Sequence, residues 1–453
     1  MTNYNLAVIG GGSAGMNLIR AAAARGWRCA LIEADNLGGT CINVGCIPSK
    51  TLIHSARVFY QAKEARQFGV LIDPPKADWP AMVRRKDKLV GRIRSRSYTG
   101  VQENENIDLY EAEASFERPH KLKVGDRQIE ADKIVIAAGS RPAIPLIKGL
   151  EQVNYLTSTS VMEMQKLPQS MLIIGGGIIA LEFSQLFVRL GVKVTILQRN
   201  QRLAPILDPQ FSEEISAILT EEGVEVKTGL KISEVGIQKE LLYVMDLSQG
   251  LPARFSAEKL LIAAGRASNA DRLNLHAAGV EVDDSGYIKV DKSFKTSSDQ
   301  IWAIGDITGG AMYTHRAWHD GILLARHLLD DETISNQDRL IPYAIFTDPE
   351  IAGVGLSERE AREAGYAVTV KQFKPGYKGR ALAMGQLKGQ VKLIADKQSG
   401  KLLGAFIMAY GAGELLHELI LGIRLGVTID VLRDMMHIHP TLSEAISSAS
   451  WAD

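Results

Sequence analysis

Apolar positions in this chain fall into short continuous runs, and two of those runs open onto the same punctuation. Residues 4–9 read as a buried strand that feeds into Gly10-Gly11-Gly12-Ser13-Ala14-Gly15, after which residues 16–25 are Ala-rich and helix-forming. Residues 28–32 make the next apolar run, ending at Glu33. The order returns at 171–174, Gly175-Gly176-Gly177-Ile178-Ile179-Ala180 and a strand at 193–197. Strand, glycine turn, helix and strand, twice over, predict an α/β chain with two Rossmann-like dinucleotide-binding domains. Two more apolar strands, 133–140 and 260–266, end in small residues where backbone can pass close to a cofactor, marking Ala138, Gly139 and Gly265. Residues 301–306 form a strand ending in Gly305-Asp306, an acid that can accept a ribityl hydroxyl or cap a helix. After about residue 340 the pattern becomes proline-containing turns, strands at 390–395 and 402–408, and helices at 413–426 and 431–436. These predict a separate C-terminal α+β domain.

The glycine spacing has a chemical meaning. In each turn, Gly10, Gly12 and Gly15 or Gly175, Gly177 and Ala180 let the chain reverse tightly, bring backbone N–H groups to a pyrophosphate and seat helix on strand. Ser13 opens the first helix. Glu33 stands where an acid is expected to accept hydrogen bonds from an adenosine ribose, the alternative being a solvated charge at a strand end. The equivalent second position is Gln198, followed by Arg199 and Arg202. An acid there would repel a 2′-phosphate and a nearby Arg can grip one, so the second site favours NADP over NAD. The alternative reading makes both arginines ordinary surface charges.

The composition adds limits. The 453 residues suggest three or four units, 46% hydrophobic and 23% charged residues are ordinary for a globular protein, and 52 basic against 52 acidic residues leave no field to attract nucleic acid or an anionic membrane. The N-terminus lacks the basic start and apolar run of a signal peptide, so a soluble cytoplasmic protein is expected. Two of only three cysteines, Cys41 and Cys46, lie close together in the segment from Gly38 through Gly39 and Thr40 to Lys50. A disulfide closing so short a loop removes little unfolded-state entropy, and no second Cys/His cluster lies near enough to make a zinc site. The pair therefore reads as a redox couple in a compartment that holds thiols reduced. Cys29, inside a predicted strand, packs as a small apolar residue. His439, held extended before Pro440, and Glu444 form a third place of interest, open between a core histidine and an acid–base pair.

Together these segments resemble the flavin-dependent pyridine nucleotide–disulfide oxidoreductases, a family including dihydrolipoamide dehydrogenase, glutathione reductase and mercuric reductase. The resemblance spans essentially the whole chain and is most specific at Gly38 to Lys50, with the Gly305-Asp306 and His439 to Glu444 segments agreeing in order and spacing. It implies FAD at the first turn, with Gly39, Thr40, Ala138, Gly139 and Asp306 among its contacts, and NAD(P) at the second. It implies domains at 1–148 and 267–338 (two parts of an FAD-binding unit), 149–266 (NAD(P)-binding) and 339–453 (dimerisation), and a homodimer in which His439 and Glu444 of one subunit complete the dithiol site of the other. Carried over by position, Cys41 attacks the substrate disulfide, Cys46 lies against the flavin, His439 shuttles the proton, Glu444 orients it, and Lys50 reaches the flavin while paired with Glu182. For Lys50 and Glu182 the bland alternative is a pair of solvated helix charges.

The substrate reading is coarser. The Gly38 to Lys50 and Thr441 to Glu444 segments look like dihydrolipoamide dehydrogenase, which points to a lipoyl disulfide. Against it stands Gln198 where those enzymes carry an acid, and residues 313–320 look more like mercuric-reductase-like flavoproteins. A C-terminal cysteine pair of the usual mercuric reductase kind is missing, and Arg20 and Tyr98 fall at positions resembling glutathione contacts. The alternatives are an NADPH-dependent reductase of glutathione disulfide or mercuric ion and, from another class, a flavin-binding subunit without catalysis.

Overall fold

The computed structural model describes residues 2–248, 250–337 and 339–452. Thr2–Ile9 lies at the centre of a seven-stranded sheet, flanked in parallel by Cys29–Glu33 and Arg127–Ile136. Its strands are buried on both faces and so carry unbroken apolar runs, as at Leu6 to Ile9 and Cys29 to Ile32. Ile301–Ala303 pairs in parallel with Arg127–Ile136, so the chain returns to its first sheet after building a second. That second sheet has five parallel strands, with Ser170–Ile174 between Lys193–Leu197 and Lys259–Ile262, and an antiparallel three-stranded meander over 232–257 beside it. Ser140–Pro142 pairs with Arg266–Ser268 where the chain leaves the first unit and re-enters it.

The C-terminal unit is an antiparallel five-stranded sheet carrying helices Ala412–Leu425, Ile429–Asp434 and Glu444–Trp451. One apolar core runs between units, joining Leu52 and Trp79 to Phe183 and Phe187 and onward to Ile345 and Phe406. Arg189, nearly buried, clamps Glu222 at 2.7 Å and Asp348 at 2.9 Å, tying the second unit to the third. A guanidinium satisfies two carboxylates there, which makes the charge tolerable in the core.

The predicted layers are present, with shifted boundaries. The strand expected at 133–140 is Arg127–Ile136, because Gly139 turns the chain at φ +66°. The run at 260–266 splits into Lys259–Ile262 and Arg266–Ser268 around Gly265, φ +124°. The first helix is Ser13–Ala24, and the late helices start earlier than predicted, at Ala412 and at Ile429, where Thr428 caps the first turn.

Candidate functional site

The dithiol sits where two helices meet. Gly38, at φ +98°, starts the short helix Gly39–Asn43 that carries Cys41, and Cys46 is the first residue of the long helix Cys46–Glu64. Gly45 between them has no room for a side chain, since an added Cβ would lie 2.8 Å from the Thr40 carbonyl. Both thiols are free and partly exposed. The closeness of the two thiols is the main force splitting them: it draws the Cys46 thiol down and pushes the Cys41 thiol up. The Thr314 hydroxyl, 3.3 Å from Cys46 Sγ, and the Lys50 charge lower Cys46 further. Its seat at a helix N-terminus acts in the same direction. Asn43 holds the loop by donating to the carbonyls of Asn36, Leu37 and Gly39, and Arg94 fixes Asn43 by donating to its Oδ1 at 2.7 Å.

Lys50 and Glu182 are not solvated helix charges. Lys50 Nζ lies 2.8 Å from Glu182 Oε2, with side-chain exposures of 32% and 4%, and over the Phe346 ring at 4.9 Å. Glu182 Oε1 accepts from Phe346 N–H, so the acid is pinned from the C-terminal unit.

The first glycine turn is built as the spacing requires. Gly10, at φ +111°, would place a Cβ 2.3 Å from the Ala137 carbonyl, and a Cβ on Gly15 would lie 2.1 Å from the Gly10 carbonyl. Gly12 caps helix Ser13–Ala24 with no side chain bonded there and no acid in its first turn, leaving N–H groups open to an anion. Gly39 packs against Gly12, where a Cβ on Gly39 would come within 2.9 Å of Gly12 Cα, and Thr40 is exposed beside it. Glu33 accepts from Gly11 N–H at 2.7 Å and Asp35 N–H at 2.9 Å. Burial nevertheless holds its carboxyl above the ordinary carboxylate range. Asp306 is no helix cap; it lies within the turn Gly305–Thr308 and accepts from Ser140 Oγ at 2.6 Å, while Arg266 Nε donates to the same Ser140 oxygen. The Ala138 and Gly139 carbonyls accept from Asn269, and a Cβ on Gly139 would meet open space. Uncapped N–H groups, a half-buried acid beside the turn, a positioned second acid and a lysine by the dithiol fit the pyrophosphate, ribose, ribityl and ring parts of FAD.

The second turn repeats the backbone with other side chains. Gly175 has φ +115°, Gly177 leaves the helix Ile178–Arg189 uncapped, Ala180 is fully buried, and Gly265 faces open space. Gln198 is buried; its Oε1 accepts from Arg199 N–H at 3.0 Å and its Nε2 donates to the Arg202 carbonyl at 3.4 Å. Arg199 is exposed and Arg202 half-buried, and neither forms an ion pair among the described residues.

His439 Nδ1 lies 3.0 Å from Glu444 Oε1, and Thr441 N–H donates to Glu444 Oε2. These two bonds hold the Glu444 carboxyl below the ordinary range. His439 is 76% exposed, which removes the core-histidine reading. The pair bonds internally and to neither cysteine of its own chain. A cleft of about 400 Å³ beside it is lined by Arg380, Met384, Tyr410 and Pro440 to Ser443, and Met435, Met436 and Ile438 stand exposed. Arg20 is exposed beside Gly100 and the Tyr98 hydroxyl donates to Glu111; neither bonds to the cysteines. Cys29 is buried, and burial pushes its thiol up to about 12. Thr314, Ser140, Arg266 and Arg94 join the site without having been singled out in the sequence, because each reaches it across a long stretch of chain.

No helix is long and apolar enough to cross a membrane among the described residues. The family described as pyridine nucleotide-disulphide oxidoreductase matches residues 4–321, and its dimerisation domain matches 341–450. The mercuric reductase of Streptomyces lividans is 37% identical over 455 residues, covering 99% of this chain and 96% of the relative. The dihydrolipoyl dehydrogenase of Thermus scotoductus is 34% identical over 458 residues, covering 100% and 98%. Among solved structures, the HOCl-induced flavoprotein disulfide reductase RclA from Escherichia coli superposes with a TM-score of 0.91 at 31% identity, covering 99% of each chain. A close cysteine pair at the junction of two helices, two nucleotide turns and a family match along nearly the whole length have one reading: the chain belongs to the class I pyridine nucleotide-disulfide oxidoreductases, flavoproteins that work with FAD and NAD(P)H.

Proposed function

We propose that this chain is an NADPH-driven disulfide reductase in which the Cys41–Cys46 pair hands two electrons to an external disulfide. The observation that carries the proposal is the setting of Cys46, the first residue of a long helix with the Thr314 hydroxyl 3.3 Å from its sulfur, which draws this thiol toward thiolate while its partner Cys41 is pushed the other way. Bound FAD, held by the first turn, Glu33 and Asp306, would supply the two-electron relay between nicotinamide and dithiol. The rest is thiol chemistry. Cys41 loses its proton to His439 of a second copy and attacks the acceptor disulfide; a mixed disulfide forms, and the leaving thiolate takes that proton back. Cys46 then attacks Cys41 Sγ, closing the Cys41–Cys46 disulfide and releasing the second thiolate. Glu444 keeps the imidazole oriented and favours its charged form. The homodimer is part of the proposal, supported by the dimerisation domain, by the exposed Met436 and Ile438 beside His439, and by the absence of any bond between that histidine and its own chain's cysteines.

NADPH is favoured by Gln198, which brings no negative charge, and by Arg199 and Arg202, which form no ion pair among the described residues. A lipoyl disulfide is the acceptor supported by the dihydrolipoyl dehydrogenase relative, and mercuric ion by the mercuric reductase relatives. The test is to reduce the purified protein anaerobically with NADPH or NADH, then offer lipoamide, glutathione disulfide and mercuric ion separately. NADPH-dependent turnover of one disulfide supports the reading. Turnover that survives Cys41→Ser ends it.

A further inference from the structure

The geometry points to Thr314 as a catalytic residue, a hydroxyl that donates to the Cys46 sulfur and keeps it a thiolate while the dithiol is reduced. Thr314 Oγ1 lies 3.3 Å from Cys46 Sγ, and that sulfur is the only hydrogen-bond partner of the hydroxyl among the described residues. A hydroxyl can accept from a thiol or donate to a thiolate, and the second bond is charge-assisted and the stronger. The contact therefore stabilises the deprotonated form, in keeping with the lowering that Thr314 contributes at both Cys46 and Cys41.

The segment that presents this hydroxyl is held on two sides. Thr314 begins the helix Thr314–Asp330. Arg316 ties the helix start to the preceding loop through the Gly309 and Ala311 carbonyls and the Thr308 hydroxyl. On the other side Tyr313 stacks on His315 with ring centroids 5.3 Å apart and on Tyr343 at 6.5 Å, and His315 Nε2 bonds the Pro342 carbonyl at 2.7 Å. The hydroxyl is thus fixed against the C-terminal unit before charge develops, which is what a preorganised donor requires. The helix N-terminus it stands on adds positive potential at the same sulfur. The otherwise unassigned segment 313–316 thereby acquires a role.

This assignment rests on reading Cys46 as the resident thiolate, and one experiment separates the two. In flavin-loaded Cys41→Ser protein, where Cys46 is the remaining active-site thiol, its alkylation by iodoacetamide is followed by peptide mass spectrometry from about pH 5 to about pH 10. Adding Thr314→Val, which keeps the shape and removes the hydroxyl, is expected to raise the midpoint by about one pH unit. Thr314→Ser is expected to leave it within a few tenths of a unit of the parent, a rescue that a merely structural role would not give. An unmoved midpoint in Thr314→Val, or an equal displacement in Thr314→Ser, overturns the assignment. A midpoint near about 8.5 in the parent Cys41→Ser protein counts against the thiolate reading of Cys46 itself, separately from the fate of the Thr314 variants.

Discussion

The two glycine turns share a backbone and differ in almost everything that would choose a ligand. Gly10 and Gly175 adopt φ +111° and +115° and would each place a Cβ 2.3 Å from a carbonyl, that of Ala137 or Ala263. In both, an apolar residue blocks the second glycine, Leu37 against Gly11 and Leu203 against Gly176. The side chain at the end of the next strand then diverges. Glu33 faces two backbone donors, Gly11 and Asp35, and accepts from both; Gln198 faces one donor and one acceptor, Arg199 N–H and the Arg202 carbonyl, and matches each with one half of its amide. Glu33 thus steadies the glycine turn itself, whereas Gln198 steadies the loop that carries the arginines. The lesson is that the amide in the second site matches the donor and the acceptor it faces, so the two turns hold their neighbouring loops with different chemistry.

The largest expected effect separates the turns at their third small residue. Gly15→Ala adds a Cβ 2.1 Å from the Gly10 carbonyl and 2.9 Å from Val8 Cγ1. The gain in helix propensity, about 1 kcal/mol, is outweighed by a backbone clash on the order of 3 kcal/mol or more. Loss of retained flavin and a much lower urea midpoint are expected. In the second turn Ala180 is already accommodated, and Ala180→Gly should cost only about 1–2 kcal/mol through propensity and a lost buried methyl. Equal sensitivity would show that the turns are mechanically alike after all.

Next comes Arg199→Ala. If Arg199 meets a 2′-phosphate through a charge-assisted bond of about 1.5–3 kcal/mol, the KM for NADPH should rise roughly 10- to 100-fold with that for NADH unmoved. Parallel changes for both nucleotides would return Arg199 to the surface. A smaller effect is expected from Gln198→Glu, which keeps the acceptor for Arg199 N–H but sets a carboxylate against the Arg202 carbonyl. The preference for NADPH over NADH should fall roughly tenfold by like-charge repulsion of the phosphate, measured as the ratio of kcat/KM values. A ratio that holds steady would mean the strand-end residue does not sense the phosphate.

What could be read from the chain and what could not follows from distance along it. The turns were legible because each is assembled within about 25 residues, so spacing alone specifies turn, helix and strand end. The Lys50–Glu182 pair was legible only through family resemblance, because nothing local to Lys50 points 132 residues ahead, whereas His439 and Glu444, five residues apart, could be paired from the sequence but not assigned a role by it. Thr314, 268 residues from Cys46, and Ser140, 166 from Asp306, reach their partners only after the second sheet has been inserted and the chain has returned to the first. Single polar residues at such separations leave no periodic signal. The strand predicted to run to residue 140 failed for a local reason, since apolar character continues past Ile136 while the backbone already turns toward Gly139.

The smallest expected effect tests whether Glu33 behaves as a partly desolvated acid. Burial raises its carboxyl above the ordinary value of 4.5 despite the two backbone donors, so its protonated form is the one the fold favours. A raised pKa means that the group's contribution to stability is fully present below its unfolded value and is lost as pH rises through the folded one. Glu33→Gln removes the titration and exchanges one acceptor oxygen for a donor, lowering stability throughout. In flavin-stripped protein, the gap in melting temperature between parent and variant should therefore be widest near about pH 4 and narrow by a few degrees or less toward about pH 7. Ribose hydroxyls donating to the carboxylate would favour its charged form, so bound FAD should flatten this pH dependence. A gap that instead widens with rising pH would mean the backbone donors outweigh burial, making Glu33 a stabilised anion. The first turn would then carry a fixed charge that the second, with Gln198, lacks altogether.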